Sequence, residues 1–457
     1  MRKSKIKFFK INGLFGDRDI AIPFDSDVKI LIGENGLGKT TVLNILYYTL
    51  TNKLYKLNDF DFKSIEIKFG NKKTLQLPKE KLSDIEEDFS APTAIVDELS
   101  RTLTSKQISN ISNLFEVGAS IGEIIDQVRF SGFGYRNAIG RKYPSRYLYN
   151  SLKMICGYGE SDEQIKTAKE YINDIISDTE ILYFPTFRRI EEDLINLGFN
   201  EDKFEISDND SRLIQFGMRD VKHKLNEIKK EINQLSSKGL SQISSEILSQ
   251  LVKGVPSLKP SAIAKISVKD IEIILARVGE AISKADKDKI LEIVSEKEFK
   301  ETDDKYLVYF LHKLVQIYEQ QRSIDSSIEN FVSVCNKYLH KSNKEIQYEA
   351  SEVEFYLAST LTEKRVLLSR LLSKLSSGEK QIISLFSRIY LSGDTNFIVL
   401  FDEPELSLSI FWQKMLLPHI VESDKCKFLL AVTHSPFIFE NHLEKNAIGL
   451  NQYIKNY

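Results

Sequence analysis

"VKILIGENGLGKTTVLNIL", residues 28–46, runs from an apolar, β-rich stretch through a glycine turn into apolar residues at helical spacing. Within it, Gly33-x4-Gly38-Lys39-Thr40 has the P-loop form, in the strand–loop–helix context which that form requires. The chemistry follows from the residue types. Gly33, Asn35, Gly36 and Gly38 make a turn whose backbone N–H groups curl around phosphates, and the following helix, opening at Lys39-Thr40-Thr41, adds its dipole. Lys39 is placed to reach the β- and γ-phosphates and the Thr40 hydroxyl to ligate Mg²⁺. The stretch therefore predicts an α/β fold organised around a nucleotide.

Two further apolar strands end in polar chemistry. "NFIVLFDEPELSLS" (396–409) closes on Asp402-Glu403, and strand-end carboxylates of an open α/β sheet face the ligand crevice. Asp402 would hold the Mg²⁺, and Glu403 is placed to polarise an attacking water as general base. The bland alternative is an acidic strand-to-loop cap. "FLLAVTHSPFIF" (428–439) closes on Thr433-His434. A lone histidine is usually structural, but after a buried strand His434 suits a γ-phosphate contact. "LSSGEKQ" (375–381), small and polar before the apolar positions Ile382, Ile383, Leu385, Phe386 and Ile389, reads as an anion-binding turn at a helix start.

GENGLGKT, LSSGEKQ, DEPE and TH, in that order, resemble the motifs of the ABC-type ATPases. The resemblance implies an α/β ABC-type P-loop ATPase head, a mixed sheet with flanking helices, that binds ATP with Mg²⁺. It also implies that Ser376, Ser377, Gly378 and Glu379 serve the nucleotide of a second copy, with "LSLS" after Glu405 linking the two sites. The expected assembly is a head-to-tail dimer or higher homo-oligomer sandwiching ATP. The wordings "KINGLFGDRDIAIPF", "LYFPTFRR", "IQFGM" and "DEPELSLSIFWQKMLLP" are similar to the RecF/OLD-like branch, and most similar to ATPase subunits of bacterial anti-phage systems such as Septu, its retron-linked relatives and PARIS. That implies an ATPase that senses or scaffolds and controls a separate effector, an HNH-type or Toprim-type nuclease. No nuclease activity is expected of this chain, since little sequence follows His434 and no metal-spaced carboxylate set is visible elsewhere. Two other readings stay open: a RecF-like DNA-repair clamp, and a structural assembly module with slow turnover.

Between the motifs the chain changes character. Val221, Leu225, Ile228, Ile232 and Leu235 step by fours and threes, as do Leu307, Leu311, Leu314 and Tyr318, then Ile324, Ile328, Phe331 and Cys335. The expected division is 1–190 for the N-terminal half of the head, 191–345 for a helical, partly coiled-coil insertion, and 346–457 for the C-terminal half. The insertion reads equally as a projecting arm or as a helical lid. The stretch 128–153 interleaves Arg129, Arg136, Arg141, Lys142, Arg146 and Lys153 with aromatics and no acid. Basic residues track phosphates while aromatic faces stack bases, so DNA or RNA is one candidate ligand. A protein partner and a solvated loop are the others. Arg188 and Arg189 fit nucleotide or partner contacts, or a surface ion pair. The aromatic Phe15 is the candidate against adenine.

The bulk numbers bound the rest. A 457-residue chain with 42% hydrophobic and 28% charged residues is an ordinary globular sequence, and a net charge of −2 excludes a uniformly basic coat. The absence of a membrane-spanning run or leader pattern leads to an expectation of a soluble, cytoplasmic protein without membrane partners. Cys156, Cys335 and Cys426, widely spaced and odd in number, read as reduced thiols.

Overall fold

The computed structural model describes residues 5–34, 36–70, 74–82, 95, 99, 103, 105–117, 119–130, 145–156, 163–185, 217–254, 266–296 and 305–457. Three sheets organise them. β1 (Ile6–Leu14), β2 (Arg18–Pro23), β4 (Ser64–Phe69), β5 (Leu75–Pro78) and β13 (Ile454–Asn456) form an antiparallel sheet in the order β13-β2-β1-β4-β5. β3 (Val28–Ile32), β6 (Thr179–Phe184), β10 (Asn396–Asp402), β11 (Cys426–Thr433) and β12 (Ala447–Gly449) form a parallel sheet in the order β12-β3-β11-β10-β6. β7 (Lys344–Glu349), β8 (Glu354–Ser359) and β9 (Thr362–Leu367) form an antiparallel meander.

The parallel sheet is central because its strands are apolar on both faces, the pattern of strands covered from both sides. Alternate residues enter different cores. Val399, Phe401, Leu429 and Ala431 pack into one cluster with helices; Ile398, Leu400, Leu430 and Val432 pack into a second with the antiparallel sheet. The helix α1 (Lys39–Leu50) belongs to that second core through Val42, Leu43, Ile45 and Leu46. Before the insertion, α2 (Ser105–Glu116), α3 (Ile121–Phe130) and α4 (Ser145–Ile155) make a small cluster of their own around Ile124 and Leu148. α5 (Glu163–Ile176) returns to the head through Ile165 and Ala168.

The insertion is built on two long helices, α6 (Met218–Lys253) and α9 (Lys305–Leu339), with α7 (Val268–Arg277) and α8 (Lys284–Glu296) between them. At about 1.5 Å per residue each long helix spans about 50 Å. Their lower parts do not project. Val221, Leu225, Ile228 and Ile232, with Ile328, Phe331, Cys335 and Tyr338, lie in the same core as β10 and α10 (Ser377–Leu391). Only the upper parts form a separate cluster, around Ile243, Ile271, Ile274, Leu311 and Leu314. The same apolar stripe thus serves as head core at one end and as helix-pair seam at the other.

A buried polar lock joins the two. Arg277 Nη2 bonds both carboxylate oxygens of Asp325, at 2.7 and 3.0 Å, Nη1 bonds Gln321 Oε1 at 2.6 Å, Nε bonds the Ala350 carbonyl at 2.9 Å, and Tyr348 donates to Asp325 at 2.8 Å. The Arg277 side chain is fully buried, and removing one partner of such a pair strands the other charge. Arg277→Ala is expected to cost about 3–5 kcal/mol, read as a lowered urea midpoint with the chain still folded in buffer. No described helix is long and apolar enough to cross a membrane.

Candidate functional site

The parallel register brings the expected chemistry to one edge. Thr433 pairs with Ile32, Asp402 with Val432 and Phe401 with Phe184, so the segments leaving β3, β11, β10 and β6 emerge side by side. Gly36 and Gly38 sit at φ +84° and +86°, a left-handed turn that L side chains strain to follow. Gly38 is the N-cap of α1 and offers no side-chain cap, which leaves the first N–H groups of the helix to an anion. Gly33 precedes the turn, Thr41 lies in the first turn of α1, and Asn35 lies outside the described residues.

Lys39 is buried, and its Nζ donates to the carbonyls of Gly33 and Glu34 and lies against His434 Nε2, each at 2.8 Å. Burial pulls its ammonium below the ordinary lysine value, while Glu403, Asp402 and Glu405 pull the other way. Thr40 Oγ1 donates to Asp402 Oδ2 at 2.9 Å, and Asp402 is fully buried. A hydroxyl and a carboxylate this close are the partial set of hard oxygens that Mg²⁺ completes with phosphate oxygens and water. Among the described residues no group of three or more His, Cys, Asp or Glu could cage a metal unaided. The donor set therefore fits an ion delivered with a nucleotide.

Glu403 stands at φ +50°, its N–H held by the Val432 carbonyl at 2.9 Å. Strained non-glycine backbone of this kind is held only where its surroundings over-determine it. Its Oε1 is 3.2 Å from His434 Nε2. Burial first, then the hydrogen-bonded and charged Glu405 and the charge of Asp402, push Glu403 up to about 8, against the pull of Lys39. Lys39, His434 and Glu403 thus form one cluster at the strand ends, with Lys39 buried and His434 the most open of the three.

The 375–381 turn lies beside this cluster's loop. Ser376 caps α10 in a reciprocal box: Glu379 N–H donates to Ser376 Oγ at 3.3 Å, and Ser376 N–H to Glu379 Oε2 at 2.9 Å. Glu379 is buried, and Lys344 bonds both its oxygens at 2.9 and 3.0 Å. Burial acts to raise its pKa, but Lys344 and Ser376 together hold it below the ordinary value. Its carboxylate is thereby spent on building the turn, and Ser377 and the helix N-terminus form the turn's outer face. A Cβ on Gly378 would lie 2.6 Å from the Ser407 carbonyl, so the turn packs directly on the 404–408 loop. Gln381 Nε2 donates to the Pro404 carbonyl at 3.3 Å.

Phe15, exposed and at φ +55°, lies next to the P-loop: a Cβ on Gly38 would meet its ring at 3.2 Å. Of the basic candidates, Arg129 and Arg146 lie on α3 and α4, and Arg136, Arg141, Lys142, Arg188 and Arg189 lie outside the described residues. Sequence reasoning assigned nothing to Glu405, Lys344, Gln381 or Gln413. The second glutamate of DEPE was the one visible signal.

No curated protein matches the chain. Among solved structures, the Smc head domain with an extended coiled coil bound to the C-terminal domain of ScpA, from Pyrococcus furiosus, aligns at 12% identity and a TM-score of 0.34, covering 100% of this chain and 96% of that one. The AAA ATPase domain family matches residues 5–439, from β1 past His434. The chain belongs to the AAA ATPase domain family.

Proposed function

We propose that the chain binds ATP with Mg²⁺ at the β3–α1 turn, pairs head to tail with a second copy, and hydrolyses ATP at the shared site. The observation that carries this reading is the meeting of Lys39, Thr40, Asp402, Glu403 and His434 at one sheet edge. Lys39 and the N–H groups at Gly36–Thr41 hold the phosphates. Thr40 and Asp402 would hold Mg²⁺, which supplies charge neutralisation at the transferred phosphoryl group. Glu403 orients and deprotonates water, His434 touches the γ-phosphate, and Phe15 lies against the base. The turn Ser376–Glu379 presents Ser376, Ser377 and Gly378 to the partner's nucleotide, with Glu379 bracing it. The head comprises 1–190 and 346–457, and 191–345 is the insertion whose base shares the head core.

Leu406, Ile410 and Phe411 are exposed apolar side chains beside that turn, 42%, 53% and 44% accessible. A second head covering them would remove water from the face that carries both signature and loop. Ile410 is the first residue of α11 (Ile410–Val421), where a carboxylate suits the helix dipole and leaves the fold intact. Ile410→Glu is therefore expected to weaken ATP-dependent pairing by about 10²–10³-fold, the effect of burying an unpaired charge, while each monomer still binds ATP. Light scattering with and without ATP·Mg²⁺ reads this, and unchanged pairing would remove this face from the interface.

The wider role rests on resemblance: a sensor or scaffold subunit of a bacterial anti-phage complex that controls a separate HNH-type or Toprim-type nuclease, with DNA or RNA as one candidate ligand. Co-expression with and without a neighbouring effector, scored for phage protection, tests it. Protection lost in Lys39→Ala supports the role, and DNA-stimulated turnover without any companion effector supports a repair clamp instead.

A further inference from the structure

We infer that Glu405 is the positioning residue for His434, and that it ties the 375–381 turn to the hydrolytic cluster. The inference rests on the proposed hydrolytic role of Glu403 and His434. Glu405 Oε1 accepts from the backbone N–H groups of His434 at 2.9 Å and Ser435 at 3.0 Å. One carboxylate oxygen therefore clamps both amides where the chain leaves β11, and the His434 ring is carried by that backbone. The clamp is braced on its far side. Ser435 Oγ donates to Gln413 Oε1 at 2.7 Å, and Gln413 Nε2 donates to the Leu408 carbonyl at 3.0 Å.

The same loop carries the contacts to α10. Gln381 reaches the Pro404 carbonyl, and Gly378 approaches the Ser407 carbonyl too closely to admit a Cβ. A shift of the 375–381 turn therefore moves 404–408, and Glu405 passes that movement to the His434 amide. Ser407 at φ +65° marks the bend through which the loop makes both contacts. Charge-assisted bonds from two amides to one carboxylate are stronger than neutral ones and fix direction as well as distance. Glu405 also lies within hydrogen-bonding reach of Glu403, and its bond to the His434 amide is the path by which it sets where that ring stands.

The test uses the full chain and compares steady-state ATP turnover of Glu405→Ala, Glu405→Gln and Glu403→Gln. Glu405→Ala removes the acceptor and is expected to lower kcat about 10–100-fold with KM changed less than about twofold, the pattern of a misplaced catalytic group. Glu405→Gln keeps an oxygen that accepts both amides and is expected to recover most of kcat. Wild-type kcat in Glu405→Ala, a change confined to KM, or a glutamine no better than alanine would each overturn the assignment. Should Glu405→Ala fail to fold, Glu405→Asp, which draws the acceptor back by one methylene, is expected to show the same fall in kcat, and wild-type kcat there overturns it equally. Glu403→Gln separates the two levels. If it turns over normally, the hydrolytic reading falls and the Glu405 assignment with it. If it is inactive while Glu405→Ala is unimpaired, only the assignment falls.

Discussion

Lys39→Ala is expected to lower ATP affinity by about 10²–10³-fold and to abolish turnover. Charge balance sets the size of the effect. The ammonium of Lys39 is the cation that faces Asp402, Glu403 and Glu405, and it is buried among them. A triphosphate entering beside these acidic side chains meets repulsion that this ammonium offsets, and in a partly dehydrated site each such interaction is worth several-fold more than in water. Losing a charge-assisted bond to phosphate alone costs about 1.5–3 kcal/mol, and the uncompensated carboxylates add to that. Mg²⁺ restores part of the balance, so the residual affinity should depend steeply on its concentration. Titration with a fluorescent ATP analogue at fixed Mg²⁺ measures the effect. Undiminished affinity would place the phosphates elsewhere and remove the β3–α1 turn from the site.

That turn was legible from the chain because its signals are local. Glycine, lysine and threonine within a few residues, after an apolar run and before a helical stripe, permit few other structures. The runs at 396–402 and 426–433 were legible for the same reason: a strand buried on both faces needs continuous apolar sequence, and these have it. The antiparallel sheets were not. β7, β8 and β9 alternate over only six residues each, too short to separate from loop by period alone, and β13 joins β2 from the far end of the chain. A three-residue strand has no pattern to read.

The insertion shows a different limit. Period marks which face of α6 and α9 is apolar but is silent on what covers it, so Ile232 and Ile243, alike in sequence, fall in different cores. Glu379 and Glu405 show a third limit. Glu379 matched the family wording, and its carboxylate turns inward onto Lys344 and its own helix cap. Glu405 matched nothing with an assigned role, yet its carboxylate holds the backbone on which His434 rides. Roles that depend on which backbone amide a side chain meets across the fold are set by tertiary contacts, and no local pattern carries them.

Glu403→Gln is the sharpest expected result for the chemistry. Glutamine has the shape of glutamate, so the strained backbone at φ +50° and the bond to Val432 should persist. An amide cannot take a proton from water, and general-base catalysis is worth about 10²–10⁴-fold, so turnover should fall by that factor. Binding should not fall with it: one carboxylate facing the phosphates has become neutral, and ATP affinity is expected to hold or rise. The pair of heads would then stay closed on ATP, seen in light scattering as a dimer that persists after free nucleotide is removed. Stability gives an independent reading. A carboxyl pushed up to about 8 in the fold, from 4.5 when free, opposes folding as pH rises past 4.5, because its ionised form is disfavoured there. At pH 8 without nucleotide, Glu403→Gln should therefore melt no lower than the wild type. Retained turnover would assign the base to another group, whereas lost turnover with a lowered melting point would mean the substitution had broken the loop rather than the chemistry.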